Sequence, residues 1–143
     1  MISVIIPNYN RTDEIKLLLA TLNEVRALIG EIIIVDDAST TNLGCFYDDI
    51  QEAFKGLRMI VNQKQANGGP GASRNAGISL AKHDTLLFID SDIYCDPDCV
   101  RKLYEQIVPC DITFPTVMYN DGNQKCPANI RFPENTAWIH ACL

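Results

Sequence analysis

The sequence predicts an α/β fold, a mostly parallel sheet flanked by helices, and two observations carry that reading. Four short runs are almost entirely apolar, as strands covered on both faces are, and segments with helical spacing lie between them. The order along the chain is then β-α-β-α-β-α-β-α, which right-handed crossovers close into a parallel sheet.

The first expected strand is ISVII at 2–6. A helix from Arg11 to Leu22 follows, with Ile15, Leu18, Leu19 and Leu22 recurring at i, i+3, i+4 and i+7. EIIIV at 31–35 is the second strand and LRMIV at 57–61 the third. The segment NGGPGASRNAG, Asn67 to Gly77, then leads into a helix over Pro70 to Lys82, with proline placed near the first turn. TLLFI at 85–89 is the fourth strand, and a helix from about Pro97 puts Val100, Leu103, Tyr104 and Ile107 on one face. Past about residue 110 the pattern loosens. DITFPTVMY reads as one more strand, Asn120 to Gly122 as a turn and CPANIRFPE as irregular chain, and the sequence ends at Leu143 inside the apolar run AWIHACL. The expectation is a core over 1–108, an incomplete region over 109–143, and a parent chain longer than this one.

Composition narrows the partners. A chain of 143 residues reads as one domain able to bury a substantial core without disulfides or metals. Its net charge of −6 argues against a nucleic-acid backbone, whose binding footprint is a clustered basic surface. Any anionic ligand must then be met by local devices, such as a bound cation or helix-end amides. The six cysteines (45, 95, 99, 110, 126 and 142) form no C-x-x-C pair, and His83 and His140 lie far from the closest two, so reduced thiols are expected rather than a zinc site. Met1 runs straight into the first strand, so no signal peptide is expected, and apolar runs such as IIIV and LLFI are too short to span a bilayer.

In a parallel α/β sheet, ligands bind beyond the carboxyl ends of the strands. Those ends read PNYNR, DDAS and DSD after the first, second and fourth strands, and NQKQ after the third. Asp90 and Asp92 can share a divalent cation that neutralises a diphosphate; the plainer reading is a solvated acidic turn. Asp36 and Asp37 can accept hydrogen bonds from a base N–H or a ribose hydroxyl, or serve as turn or cap aspartates, one residue for each role. Tyr9, after Pro7, offers an aromatic face to a planar base, or packs under the first helix. Arg11 meets phosphate or stands in solvent. The glycine segment is no P-loop, because no G-K-[ST] follows. It mimics a dinucleotide fingerprint, but Arg74 occupies the third glycine's place and about six residues separate it from the strand. A guanidinium there is suited to contact a diphosphate or to pin a loop carboxylate.

In this order and spacing, SVIIPNYNR, EIIIVDDAS, NGGPGASRNAG and LLFIDSD resemble the family 2 glycosyltransferases, whose GT-A fold is a Rossmann-like nucleotide-binding domain. The resemblance is close over residues 1–108 and loose beyond. It implies transfer of a sugar from a nucleotide-diphosphate sugar to the hydroxyl of a glycan or lipid-linked acceptor, with inversion and a divalent metal, Mn or Mg, on the diphosphate. By position, Pro7 and Tyr9 match residues lining base and ribose, and Asp37 matches the carboxylate that hydrogen-bonds the base, with Asp36 its neighbour. Arg74 matches the arginine near base and diphosphate. Asp90 and Asp92 match the D-x-D pair, with Asp92 the direct metal ligand. Pro7, Asp37 and Arg74 suit uridine, with thymidine and guanosine open. The family's general base sits on a later segment, so no catalytic residue is identified within this chain and the base is expected beyond Leu143; Glu134 and Asp121 are poor candidates for it. A donor-binding part with little activity alone is therefore expected, located in the cytoplasm or at the inner face of the membrane, and often tied in this family to surface polysaccharide.

Three other readings compete. A phosphoacceptor receiver domain would not separate its aspartates by the 54 residues between Asp36 and Asp90. A nucleotidyltransferase would carry a basic glycine-rich loop after its first strand. A non-catalytic nucleotide-sugar-binding domain is the third.

Overall fold

The computed structural model describes residues 1–40 and 50–106, and the backbone of two short strands at 117–118 and 124–125. β1 (Ile2–Asn8), β2 (Ile29–Asp36), β3 (Arg58–Gln63) and β4 (Thr85–Phe88) form one sheet in the order β3-β2-β1-β4, and all three pairings are parallel. α1 (Thr12–Asn23), α2 (Gly69–Leu80) and α3 (Pro97–Gln106) are the helices described in full, and residues 50–53 are also helical. β5 (Val117–Met118) pairs antiparallel with β6 (Gln124–Lys125). The remainder of DITFPTVMY, the turn at Asn120 to Gly122, CPANIRFPE and AWIHACL lie outside the described residues, as do Ile107, Asp121 and Glu134. Leu143, beyond which the general base was expected, lies outside them too, so that expectation has no structural counterpart here.

Each strand is where its apolar run lies, with shifted ends. β1 runs on past ISVII through Pro7 to Asn8, paired there with Val35 and Asp36 of β2. Proline is tolerated at this point because β4 pairs with β1 only as far as Ile5, leaving one side of β1 open. The chain steps from β1 to β2 to β3 in one direction and then crosses to the far side of β1 for β4. That reversal puts the topological switch point between the carboxyl ends of β1 and β4.

Period-two alternation divides the strands between two apolar layers. Val4, Ile6, Ile32 and Ile34 face α1, through Ile15, Leu18, Leu19 and Leu22, and Val100 of α3. Ile5, Ile33 and Val35 face the opposite side, against Ala76 and Leu80 of α2. Burial on both faces is why the runs are continuous Ile and Val rather than alternating with polar residues.

α2 lies close on the sheet because Gly77 has no side chain: a Cβ there would collide with Cγ2 of the fully buried Ile5. Two buried carboxylates fasten its ends. At the lower end, Glu31 accepts bonds from the Ser3 hydroxyl (2.6 Å) and the Lys82 amide (2.5 Å), and pairs with Arg58, which also bonds the Leu80 carbonyl at 3.3 Å. Burial opposes the charge on Glu31, but the bonds from Ser3, Lys82 and Arg58, with the Arg58 charge, outweigh it and hold the carboxyl below its ordinary range. At the upper end the carboxylate is Asp37, which belongs to the site. No helix among the described residues is long and apolar enough to cross a membrane.

Candidate functional site

A cleft of about 280 Å³ opens at the switch point. The end of β1 contributes Pro7, Asn8, Tyr9 and Arg11 to its wall, and the end of β2 contributes Asp37. Asn67, Gly69, Pro70 and Ser73 come from the glycine segment and the first turns of α2, and Asp90, Ser91 and Asp92 follow β4. The fold therefore gathers in one place residues separated by more than eighty positions in the chain.

Asp36 and Asp37 divide into different tasks. Asp36 is fully buried and does not line the cleft, whereas Pro7, Tyr9, Asp37 and Asp90, with which the sequence grouped it, do. It is a turn aspartate: its carboxylate accepts bonds from the Ser39 hydroxyl (2.5 Å), the Ser39 amide (3.2 Å) and the Asn8 amide group (3.1 Å). Those bonds hold a tight bend in which Ala38 takes a φ of 62°, in the left-handed region that side chains disfavour. Asn10, at φ 54°, joins the neighbouring loop to it, its amide donating to the Ser39 hydroxyl at 2.8 Å.

Asp37 lines the cleft with 3% of its surface exposed. Its Oδ1 accepts bonds from Lys64 Nζ (2.5 Å) and the Gly68 amide (3.0 Å), and Oδ2 accepts one from the Gly69 amide (2.7 Å). Burial opposes ionisation, but the Lys64 hydrogen bond, the two amides and the Lys64 charge outweigh it, so this carboxyl too lies below its ordinary range. The glycine segment is thus an anion cradle, filled by the protein's own carboxylate. Gly69 permits it with a φ of 81°.

Tyr9 is 47% exposed and lines the cleft, so it is not packed under α1. Arg74 is buried and absent from the cleft wall; its Nη2 donates to Asp90 Oδ1 at 2.6 Å. Of the two tasks the sequence left open, the structure contains the second, a pinned loop carboxylate. Asp92 differs from Asp90 in being half exposed, with Arg11 Nη2 3.8 Å away and that guanidinium engaged by Glu14 at 3.1 Å. These hard oxygen donors suit Mg or Mn. No group of three or more His, Cys, Asp or Glu that could hold a metal occurs among the described residues. A cation at Asp90 and Asp92 would complete its shell with ligand oxygens and water, the usual arrangement for Mg at a phosphate.

Residues 3–138 match the family model described as Glycosyl transferase family 2. The chain belongs to that family. It is 34% identical over 107 residues to an uncharacterized glycosyltransferase of Haemophilus influenzae, covering 75% of this chain and 34% of that protein. It is 34% identical over 105 residues to a poly(ribitol-phosphate) beta-glucosyltransferase of Bacillus spizizenii, covering 72% of this chain and 16% of that protein. The Staphylococcus aureus TarS structure in complex with UDP superposes with a TM-score of 0.62 at 30% identity, over 73% of this chain and 31% of that one. A Pyrobaculum calidifontis mannosyltransferase in complex with GDP-Man and Mn2+ shares the fold, with a TM-score of 0.66 at 21% identity over 82% of this chain and 34% of that one. The chain spans about a third or less of the length of these relatives.

Ser73 and Ser91 of this cleft, and Lys64 behind it, were not singled out from the sequence. Ser73 is fully buried, its hydroxyl bonded to the Gly69 carbonyl at 3.2 Å, and Ser91 is nearly so. Lys64 directly follows β3 and was passed over as part of NQKQ. A cation at the carboxyl end of a parallel strand, one strand away from an aspartate pair, was the available signal.

Proposed function

We propose that this family 2 chain forms the donor side of an inverting glycosyltransferase. The parent enzyme transfers a sugar from a nucleotide-diphosphate sugar to the hydroxyl of a glycan or lipid-linked acceptor. The observation that carries this reading is one cleft holding an exposed aromatic, Tyr9, a buried ionised carboxylate, Asp37, and a half-exposed carboxylate, Asp92, at the switch point of a parallel sheet. Tyr9 and Pro7 support the base, Asp37 accepts a hydrogen bond from it, and Asp90 with Asp92 holds a divalent cation, Mn or Mg. When bound, that cation supplies positive charge against the diphosphate that departs. Arg74, bonded to Asp90, holds that carboxylate in place.

The base proposed is uracil. A carboxylate offers about four acceptor positions, and bonds from described residues occupy three on Asp37, leaving one on Oδ2. Uracil and thymine present a single N–H between two carbonyls. Guanine presents two adjacent donors, and cytosine places a bare ring nitrogen beside its amine, which a carboxylate repels. The TarS complexes with UDP and UDP-GlcNAc, at 30% identity, favour uracil over thymine. The setting proposed is the cytoplasm or the inner membrane face, which the free thiol of Cys99 suits.

Calorimetric titration with UDP, GDP, dTDP and CDP, with and without manganese, tests this reading. UDP binding that strengthens with manganese, and loses that dependence in Asp92→Ala, is expected. Equal binding of all four nucleotides, or binding indifferent to both manganese and Asp92, would overturn it.

A further inference from the structure

We propose that Lys64 is a positioning residue for base recognition, fixing the Asp37 carboxylate so that its one remaining acceptor position serves the donor base. This inference rests on the donor-site reading above. Lys64 is outside the cleft wall and acts from behind, with its side chain 20% exposed and Nζ 2.5 Å from Asp37 Oδ1. Its own backbone is anchored: the Lys64 amide donates to the Asp36 carbonyl at 2.8 Å. The space it occupies is kept by a glycine, since a Cβ on Gly68 would lie 2.6 Å from Nζ. A larger residue at 68 would force the ammonium to shift, and the same Gly68 presents its amide to Oδ1.

Two bonds to Oδ1 and one to Oδ2 leave the carboxylate no rotational choice. The ammonium is also the only side-chain cation bonded to Asp37 among the described residues, while Asp36 is its chain neighbour. Without that charge a carboxylate so deeply buried protonates more readily, and a protonated Asp37 donates where a uracil N–H requires an acceptor. A protonated carboxyl instead suits the bare ring nitrogen of cytosine. Lys64 is therefore expected to govern which base is preferred, not only how firmly the loop is held.

The test is calorimetric titration of UDP and CDP into the wild type, Lys64→Met and Lys64→Arg, with manganese present throughout. Lys64→Met is expected to weaken UDP about tenfold, the loss of one charge-assisted hydrogen bond, with CDP changed far less, so that the UDP-to-CDP preference collapses. Lys64→Arg restores most of the preference. If Lys64→Met does not fold, Lys64→Gln, which keeps a neutral donor without the charge, gives the same comparison. Equal weakening of both nucleotides would mean that Lys64 only holds the loop, and an unchanged preference would remove it from recognition; either result overturns the inference. Failure of the wild type to bind either nucleotide would instead overturn the donor-site reading itself.

Discussion

Gly77→Ala sets two physical effects of opposite sign against each other. In an exposed helix the change stabilises, by about 1 kcal/mol, because alanine restricts the unfolded chain and favours the helix. Here the added methyl would overlap Cγ2 of Ile5 and press on its Cβ and Cγ1, each 3.4 Å away. Ile5 is β-branched, fully buried, and paired with Ile33 on one side and Phe88 on the other, so its methyl can move aside only against packed neighbours. Overpacking of this kind costs about 1–3 kcal/mol, and a net loss of roughly 1–2 kcal/mol after the helix gain is expected. For a chain of this size that lowers the melting temperature by roughly 4 °C per kcal/mol, readable by calorimetry or circular dichroism. Ile5→Ala removes the obstructing methyl and by itself costs about 2–5 kcal/mol. The double variant should be less destabilised than the sum of the two, because each change relieves the other. A stabilised Gly77→Ala, or strict additivity with Ile5→Ala, would refute the claim that close helix-to-sheet contact demands glycine at 77.

Glu31→Gln should flatten the acid side of the stability curve. The folded-state carboxyl lies below its ordinary range, so its contribution is complete above the unfolded value, roughly pH 4, and is lost as pH falls through the folded value. Urea denaturation from pH 7 to pH 2 should show the variant about 1–2 kcal/mol weaker at neutral pH, a loss limited by the partly exposed Arg58, and converging with the wild type in acid. Parallel curves would show that Glu31 is not the group responsible. Arg74→Met removes the guanidinium bonded to Asp90, whose side chain is only 25% exposed, and should lower manganese-dependent UDP affinity about tenfold or more. UDP affinity unchanged in a folded Arg74→Met would remove the Arg74–Asp90 pair from the site.

Strands, helices and the location of the site were legible because each rests on local pattern. Continuous Ile and Val in β1 and β2 announce burial on both faces, and Ile15, Leu18, Leu19 and Leu22 announce the buried stripe of α1. Asp37, Tyr9, Asp90 and Asp92 were singled out by a topological rule that needs only strand order, and all four line the cleft. What escaped depends on register. Glu31 sits inside the run EIIIV, and only the pairing of β1, β2 and β3 brings it beside Ser3 and Arg58, 28 and 27 positions away. Lys64 meets Asp37 across 27 positions for the same reason. The glycine segment was read for its approach to a ligand, and its amides turn out to face a carboxylate contributed by another strand. Gly77 carries no pattern of its own; its necessity appears only once Ile5 is placed beneath it.

The most direct test of the donor site is a crystal of the chain grown with UDP and manganese, with the metal located by its anomalous scattering. The account predicts one manganese peak at Asp92 and Asp90, bridging them to the diphosphate, with uracil against Tyr9 and its N–H on Asp37. A manganese peak away from those carboxylates, or UDP outside the cleft between β1 and β4, would contradict it.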